Sequence, residues 1–277
     1  MKVTDRLQYP TILSSVLLLI GLSWVQPSMI AATFYYVETS GGGNQAEEYS
    51  SLANLQSGTT ASSTAFNWPS GNQDGFAGIG TDGSNFYGLW SGFAVTYNSF
   101  ANLTTNTQSP AGVAWGGGST TFVFGVAADT TGKFWILFDS GSGANQIIRE
   151  YADVAGFRAN TGFTDTQVTW DIAAPAANTT VRDFAFEGGQ YHVAFTDSTA
   201  NDFLVTYSSL AELAADTDIT DAGTGGGTIS TMGGGGPDFS NGRALAAFTP
   251  VPEPATYGLI SGLILLGTAH FRRRKRK

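Results

Sequence analysis

The 277-residue chain contains no cysteine, so a disulfide, a thiolate nucleophile and a Cys-based zinc site are all excluded. It has two histidines, His192 and His270, and only His192 lies in the long middle part. Any Ser–His–Asp constellation there would have to use that one imidazole. Basic residues are scarce in the same region. Of 13 Lys and Arg, eight are Lys2, Arg6 and the run Arg272–Lys277, leaving Lys133, Arg149, Arg158, Arg182 and Arg243 between Thr33 and Pro250. Twenty of the 22 acids fall in that stretch, so five cations against twenty carboxylates give it a net charge of −15. A nucleic-acid groove needs clustered Lys and Arg to meet phosphates, so nucleic acid is not an expected partner. Such acidity suits solubility, cation binding or repulsion from anionic surfaces.

Long helical periodicity is nearly lacking too. Gly, Thr, Ser, Phe and Tyr are abundant, a composition of short strands and many turns. About 220 residues between Thr33 and Pro250 are ample for one core.

Internal repetition organises this part. Tyr49-Ser-Ser-Leu-Ala-Asn-Leu55, Tyr97-Asn-Ser-Phe-Ala-Asn-Leu103, Tyr151-Ala-Asp-Val-Ala-Gly-Phe157 and Tyr207-Ser-Ser-Leu-Ala-Glu-Leu213 share one pattern, spaced by 48, 54 and 56 residues. Trp68, Trp115 and Trp170 follow the first three tyrosines by 19, 18 and 19 residues, while the fourth copy has the glycine-rich stretch Gly223 to Gly236 instead. Three boxes are preceded by an apolar strand, a Gly-containing turn and a second apolar strand, as in Phe122–Val126, Asp129–Gly132 and Phe134–Phe138. The other two hairpins join Phe76–Ile79 to Asn85–Trp90 and Asp183–Phe186 to Tyr191–Phe195. A third strand such as Phe203–Thr206 and a fourth from the Trp segment complete each unit. Four strands per repeat is the pattern of a β-propeller blade. The middle part begins late in a repeat, at Phe34–Val37, and ends on a first strand, Arg243–Phe248. The expected fold is therefore all-β: a small propeller of four blades with the N- and C-terminal strands sharing one blade. The alternative is a β-sandwich, since short strands and turns fit both.

Both ends carry a different chemistry. Lys2 and Arg6 precede the apolar run Thr11–Val25, and Ala31 and Ala32 follow, the order of a secretory signal peptide over residues 1–32. At the other end Pro252-Glu253-Pro254 is followed by 17 uncharged, largely apolar residues, Ala255 to Phe271, and then by Arg272, Arg273, Arg274, Lys275, Arg276 and Lys277. The prolines hold Glu253 extended. The apolar run is at the short limit for a transmembrane helix, and the basic run would keep its end cytoplasmic. This tail closely resembles the PEP-CTERM sorting signal of bacterial exported proteins. The resemblance covers residues 251–277 and implies handling by an exosortase and the export machinery, transient membrane anchoring, processing near Pro252–Pro254, and a surface or extracellular location. That system tends to accompany exopolysaccharide production, which makes exopolysaccharide an implied partner. The domain plan is thus residues 1–32, a repeat-built β domain over 33–250, and the tail.

Several motifs have simpler readings. Gly78-Ile-Gly80-Thr-Asp-Gly83 matches G-x-G-x-x-G, yet a dinucleotide site needs a helix to start there, and strand-like Phe86-Tyr87 follows instead. It reads as a hairpin turn. Gly41–Gly43, Gly116–Gly118 and Gly233–Gly236 lack the Lys-Ser/Thr of a phosphate loop and read as loops. Asp216, Asp218 and Asp221 offer calcium three carboxylates, but the D-x-D-x-D-G spacing and a bidentate Glu are missing, so a solvated acidic turn is expected. No cofactor and no metal ligands are expected. His192 sits in a strand and reads as a structural histidine. Tyr49, Tyr97, Tyr151 and Tyr207, like Trp68, Trp115 and Trp170, could form a sugar platform, but recurrence in register favours core packing. Trp90 and Trp135 are the less regular aromatics.

The blades also look like those of five-bladed arabinanase-type glycoside hydrolases, which use carboxylates facing the central tunnel. The nearest such acids are Asp74, Asp129 and Asp183. Four repeats rather than five, no Glu in a matching place, and an acid at the start of only two hairpins count against activity. The leading expectation is an exported, exosortase-sorted surface or matrix protein with a non-enzymatic binding or structural role. No catalytic residue is assigned, and a polysaccharide-acting hydrolase is the alternative.

Overall fold

In the computed structural model, the described residues are 32–38, 45–65, 76–90, 92–116, 123–139, 145–169, 180–196, 202–215, 228–232 and 242–249. The leader to residue 31 and the tail 251–277 lie outside them, as do Asp74, Trp68, Trp170, Asp216, Asp218 and Asp221. Among the described residues no helix is long and apolar enough to cross a membrane.

Among the described residues sixteen strands form four antiparallel four-stranded sheets. The first blade contains β4 (Phe76–Thr81), β5 (Phe86–Trp90), β6 (Phe93–Tyr97) and β7 (Val113–Ala114). The second contains β8 (Val123–Ala128), β9 (Phe134–Asp139), β10 (Asn145–Tyr151) and β11 (Phe163–Thr169). The third contains β12 (Thr180–Glu187), β13 (Gln190–Thr196), β14 (Asp202–Tyr207) and β15 (Thr228–Thr231). The closing blade takes β16 (Gly242–Phe248) from one end of the chain and β1 (Thr33–Glu38), β2 (Gln45–Tyr49) and β3 (Ser62–Ala65) from the other. Phe34 pairs with Ala247 and Val37 with Ala244, so the shared blade read from the sequence is present. The first strand of each blade is innermost: β4 lies against β8, β8 against β12, β12 against β16 and β16 against β4. The chain is a four-bladed β-propeller. Closing the ring in this way gives β1 and β16 a partner in place of two open edges.

Small residues let the inner strands approach. A Cβ on Gly78 would lie 2.8 Å from Gly125 Cα, and one on Gly80 would lie 2.8 Å from Ala127 Cα. This explains the G-x-G stretch as close backbone packing followed by a hairpin turn. A β-bulge interrupts each inner strand at the same place, skipping Ala77, Phe124, Arg182 and Arg243 in the pairings. The bulge aligns Gly78, Gly125, Asp183 and Ala244.

The tyrosine boxes build the rim. Each Tyr ends a third strand and pairs across the sheet with an aromatic: Tyr49 with Phe34, Tyr97 with Phe86, Tyr151 with Phe134 and Tyr207 with Tyr191. A short helix follows in every copy: α1 (Leu52–Ser57), α2 (Phe100–Thr104), α3 (Val154–Ala159) and α4 (Leu210–Ala215). The Ser or Asp of the box is the cap. Ser51, Ser99, Asp153 and Ser209 accept the backbone N–H of Asn54, Asn102, Gly156 and Glu212 at 2.7–3.1 Å. Helices this short do not hold alone in water. Their last apolar residue, Leu55, Leu103, Phe157 or Leu213, is buried and pins each one to the core. Nine residues after the Tyr the backbone turns left-handed at Gly58, Asn106 and Asn160. Asn106 and Asn160 then use that position to accept the Tyr97 and Tyr151 hydroxyls at 2.9 and 2.5 Å, whereas the Tyr49 hydroxyl donates to Glu47.

The fourth strands differ slightly from expectation. They lie just before the Trp positions, because Trp115 follows β7 and packs inward, its Nε1 donating to Phe157 O at 3.0 Å. In the third blade Met232 takes that place. Its N–H bonds Asp202 O at 3.0 Å, as Trp115 N–H bonds Gly92 O at 2.8 Å.

Candidate binding site at the turn face

One face of the ring carries the turns that join the inner strands of the first three blades to their neighbours, β4 to β5, β8 to β9 and β12 to β13, together with the end of β16. On that face lies a cavity of about 430 Å³, walled by the β8–β9 turn, the β12–β13 turn and the end of β16. Asp129, Phe186, Glu187, Phe248 and Thr249 are among its lining residues. The pairings put Asp82, Asp129 and Glu187 at one repeated position, four residues after the bulge-aligned residue of each inner strand, with Phe248 as the fourth.

The three acids are not equivalent. Asp82 accepts Ser84 N–H and Asn85 N–H at 2.8 and 2.7 Å and the Tyr87 hydroxyl at 2.7 Å. Asp129 accepts the Thr131 and Lys133 N–H groups, each at 2.9 Å, and the Thr131 hydroxyl at 2.8 Å. Both stabilise their own turns. Glu187 accepts no hydrogen bond from the described residues; its carboxylate lies 3.8 Å from His192 Nε2. The Tyr191 phenol is pushed up to about 12, first by burial and then by Glu150 and Asp129. Phe186 packs on Trp135 with ring centres 4.4 Å apart, and Phe248 stacks on Tyr35 at 6.2 Å.

His192 is fully buried in β13, with its Nδ1 2.9 Å from Thr206 Oγ1 and its ring edge-on to Phe34. It packs as the sequence suggested, but its Nε2 has no hydrogen-bond partner.

Asp183 stands elsewhere. The sequence placed it at the start of the strand Asp183–Phe186; the strand in fact begins at Thr180, and the bulge at Arg182 turns Asp183 into the ring. Where the other blades have Gly78, Gly125 and Ala244, this blade has a carboxylate that is 2 % exposed. Its Oδ1 accepts Phe184 N–H at 2.7 Å and lies 2.6 Å from where a Cβ on Gly125 would be. Burial holds its pKa well above the ordinary carboxylate value, opposed by the backbone N–H groups of Phe184 and Leu245. Oδ2 is buried without a partner, as is Arg182 Nε.

A glycosidase needs its two carboxyl groups roughly 5–9.5 Å apart around a bound sugar. Asp183 lies beside Gly125, and Asp129 is four residues further along β8, roughly 13 Å at strand rise. The structure therefore does not bring these two acids together, and Asp183 is sealed from solvent. Among the described residues no three His, Asp or Glu side chains gather as a metal site. Trp115 and Trp135 are buried, as are Tyr49, Tyr97, Tyr151 and Tyr207, so none of these forms an open platform. Sequence reading missed Glu187 and Thr249 as a pair of wall residues. Aligning Asp82, Asp129 and Glu187 as the same turn position was the available signal.

No family model matches the chain, and no curated protein matches it. Among solved structures it is similar to a chain of the Nidogen/Laminin complex, with TM-score 0.39 and 10% identity over 78% of this chain and 98% of that one. It is similar to a mutant Aleuria aurantia lectin in complex with Fucα1-6GlcNAc, with TM-score 0.30 and 14% identity over 73% and 57%. A third is the extracellular domain of a hybrid two-component system from B. thetaiotaomicron, with TM-score 0.30 and 10% identity over 71% and 20%. Likenesses this distant carry no functional argument. The propeller assignment rests on the ring of four sheets in this chain.

Proposed function

We propose that this protein is exported, sorted to the cell surface or extracellular matrix through its PEP-CTERM-like tail, and serves there as a non-enzymatic binding or structural component. The carrying observation is the ordered tail: Pro252-Glu253-Pro254, a short apolar run, then Arg272 to Lys277. The leader with Lys2, Arg6 and Ala32 supports export, and exosortase and the export machinery are the corresponding partners. The acidic propeller with a cavity at its turn face supports binding, with exopolysaccharide as the partner the tail suggests. Of the two carboxylates in the cavity wall, Asp129 is bound into its own turn and Glu187 is free of turn contacts, which supports a binding role for Glu187.

Two measurements test this. In the producing cell, Pro252→Ala with Pro254→Ala, and separately deletion of Arg272–Lys277, should shift the protein from the exported or surface fraction into the membrane. Unchanged fractionation would remove the sorting reading. In gels cast with polysaccharides, including the cell's own, the full chain in mild detergent should be specifically retarded. Free migration through all of them would leave a structural surface component.

A further inference from the structure

The wall between the third and closing blades contains polar groups that the fold leaves unused. His192 Nε2 and Thr249 Oγ1 are buried without a hydrogen-bond partner. Glu187, with its side chain 11 % exposed, faces that imidazole at 3.8 Å and has no Lys or Arg against it among the described residues. A carboxylate so withdrawn from water is costly unless a cation or donor meets it. Among the described residues the cavity lining holds a second carboxylate, Asp129, and no basic residue. Two partly buried aromatic rings, Phe186 and Phe248, complete the wall.

An unpaired carboxylate beside aromatic faces is the chemistry that recognises an organic ammonium. Two like charges disfavour a uronate or sulfate in the same space. A volume of about 430 Å³ lies in the range of small-molecule sites and exceeds the needs of a bare amine. We propose that this cavity binds a hexose-sized ligand with a free amino group, its ammonium against Glu187 and its apolar ring face on Phe248 and Phe186. This deepens the binding role proposed above and rests on it.

The test is a calorimetric titration of the full chain in mild detergent with glucosamine, glucose, N-acetylglucosamine and putrescine. Trp135, stacked on Phe186, gives a parallel fluorescence signal. Glucosamine should bind at least about tenfold more tightly than glucose and N-acetylglucosamine, the scale of one charge-assisted hydrogen bond, and more tightly than putrescine, which lacks the ring. Glu187→Gln should remove that preference, whereas Asp165→Asn, the same charge change on the outermost strand β11, should leave it intact. If Glu187→Gln does not fold, pH decides: wild-type affinity should fall as the amine of glucosamine loses its proton. Equal affinity for glucose or N-acetylglucosamine overturns the amino requirement while leaving a saccharide-binding role. Putrescine binding as tightly overturns the sugar requirement. No binding by any probe, or a flat pH profile, overturns the site; polysaccharide retardation, read separately, still reports on the broader role.

Discussion

The rim of this propeller and its inner ring obey different rules. On the rim, four tyrosine boxes repeat one solution: a buried Tyr, a capped helix of one to two turns, and a buried apolar anchor. Polar groups there find partners close by, as Tyr151 does in Asn160 and Asp153 does in Gly156. In the inner ring the third blade departs from its siblings. Asp183 replaces a small residue, Arg182 and His192 bury unpartnered nitrogens, and Glu187 escapes the turn that occupies Asp82 and Asp129. Recurrence marks what every blade needs for packing. Departure from recurrence marks where a blade has been given another task.

Truncation gives the largest contrast. Tyr151→Ala removes a side chain with no exposure, the partner of Phe134 across the sheet and of Asn160 in its left-handed turn. It should cost about 3–5 kcal/mol, the usual range for deleting a buried aromatic. Glu187→Ala, on the inner ring, should change stability by less than about 1 kcal/mol, because it removes an unpaired carboxylate rather than a packed contact. Urea unfolding of both variants measures this. Equal losses would erase the distinction between the two regions.

Asp183 sharpens it through pH. Its folded-state pKa is raised by burial, so between the ordinary carboxylate value of about 3.9 and the higher folded value the native state holds more protons than the unfolded chain. Stability then falls as pH rises through that window and is fully retained below it. Asp183→Asn abolishes this contribution, so its stability relative to the parent should climb as pH rises above about 4. Each unit of upward shift is worth about 1.4 kcal/mol. Parallel stability curves for the two proteins would show that Asp183 is not perturbed.

The rim was legible in the sequence because it is local. Tyr, cap and apolar anchor fall within seven residues, and the same spacing returns four times. Ring closure was legible from phase, since a late-repeat start and a first-strand end can meet in one blade. The cavity was not, because its wall joins Asp129 and Glu187 from two distant turns with Thr249 at the end of β16. The bulges hid a further relation: skipping Arg182 is what aligns Asp183 with Gly78, Gly125 and Ala244, and no apolar pattern announces a skipped residue.

Met232 offers the finest test of how far the repeat extends. It sits 25 residues after its tyrosine instead of 18, yet its N–H makes the bond that Trp115 makes in the first blade. Trp115 reaches the helix of the next blade through Phe157 O. Met232 packs in one cluster with Leu55, the corresponding helix residue of the closing blade. Met232→Trp should therefore place an indole N–H toward Leu55 O. The added ring costs about 1–3 kcal/mol in a filled site, and the new hydrogen bond returns about 1. Methionine's flexible neighbourhood lowers the first figure, so the net change should stay within about 1 kcal/mol. Its indole proton should also exchange slowly in NMR. A loss above about 3 kcal/mol with a freely exchanging proton would mean that the glycine-rich segment builds a different seam, and that the fourfold pattern stops at β15.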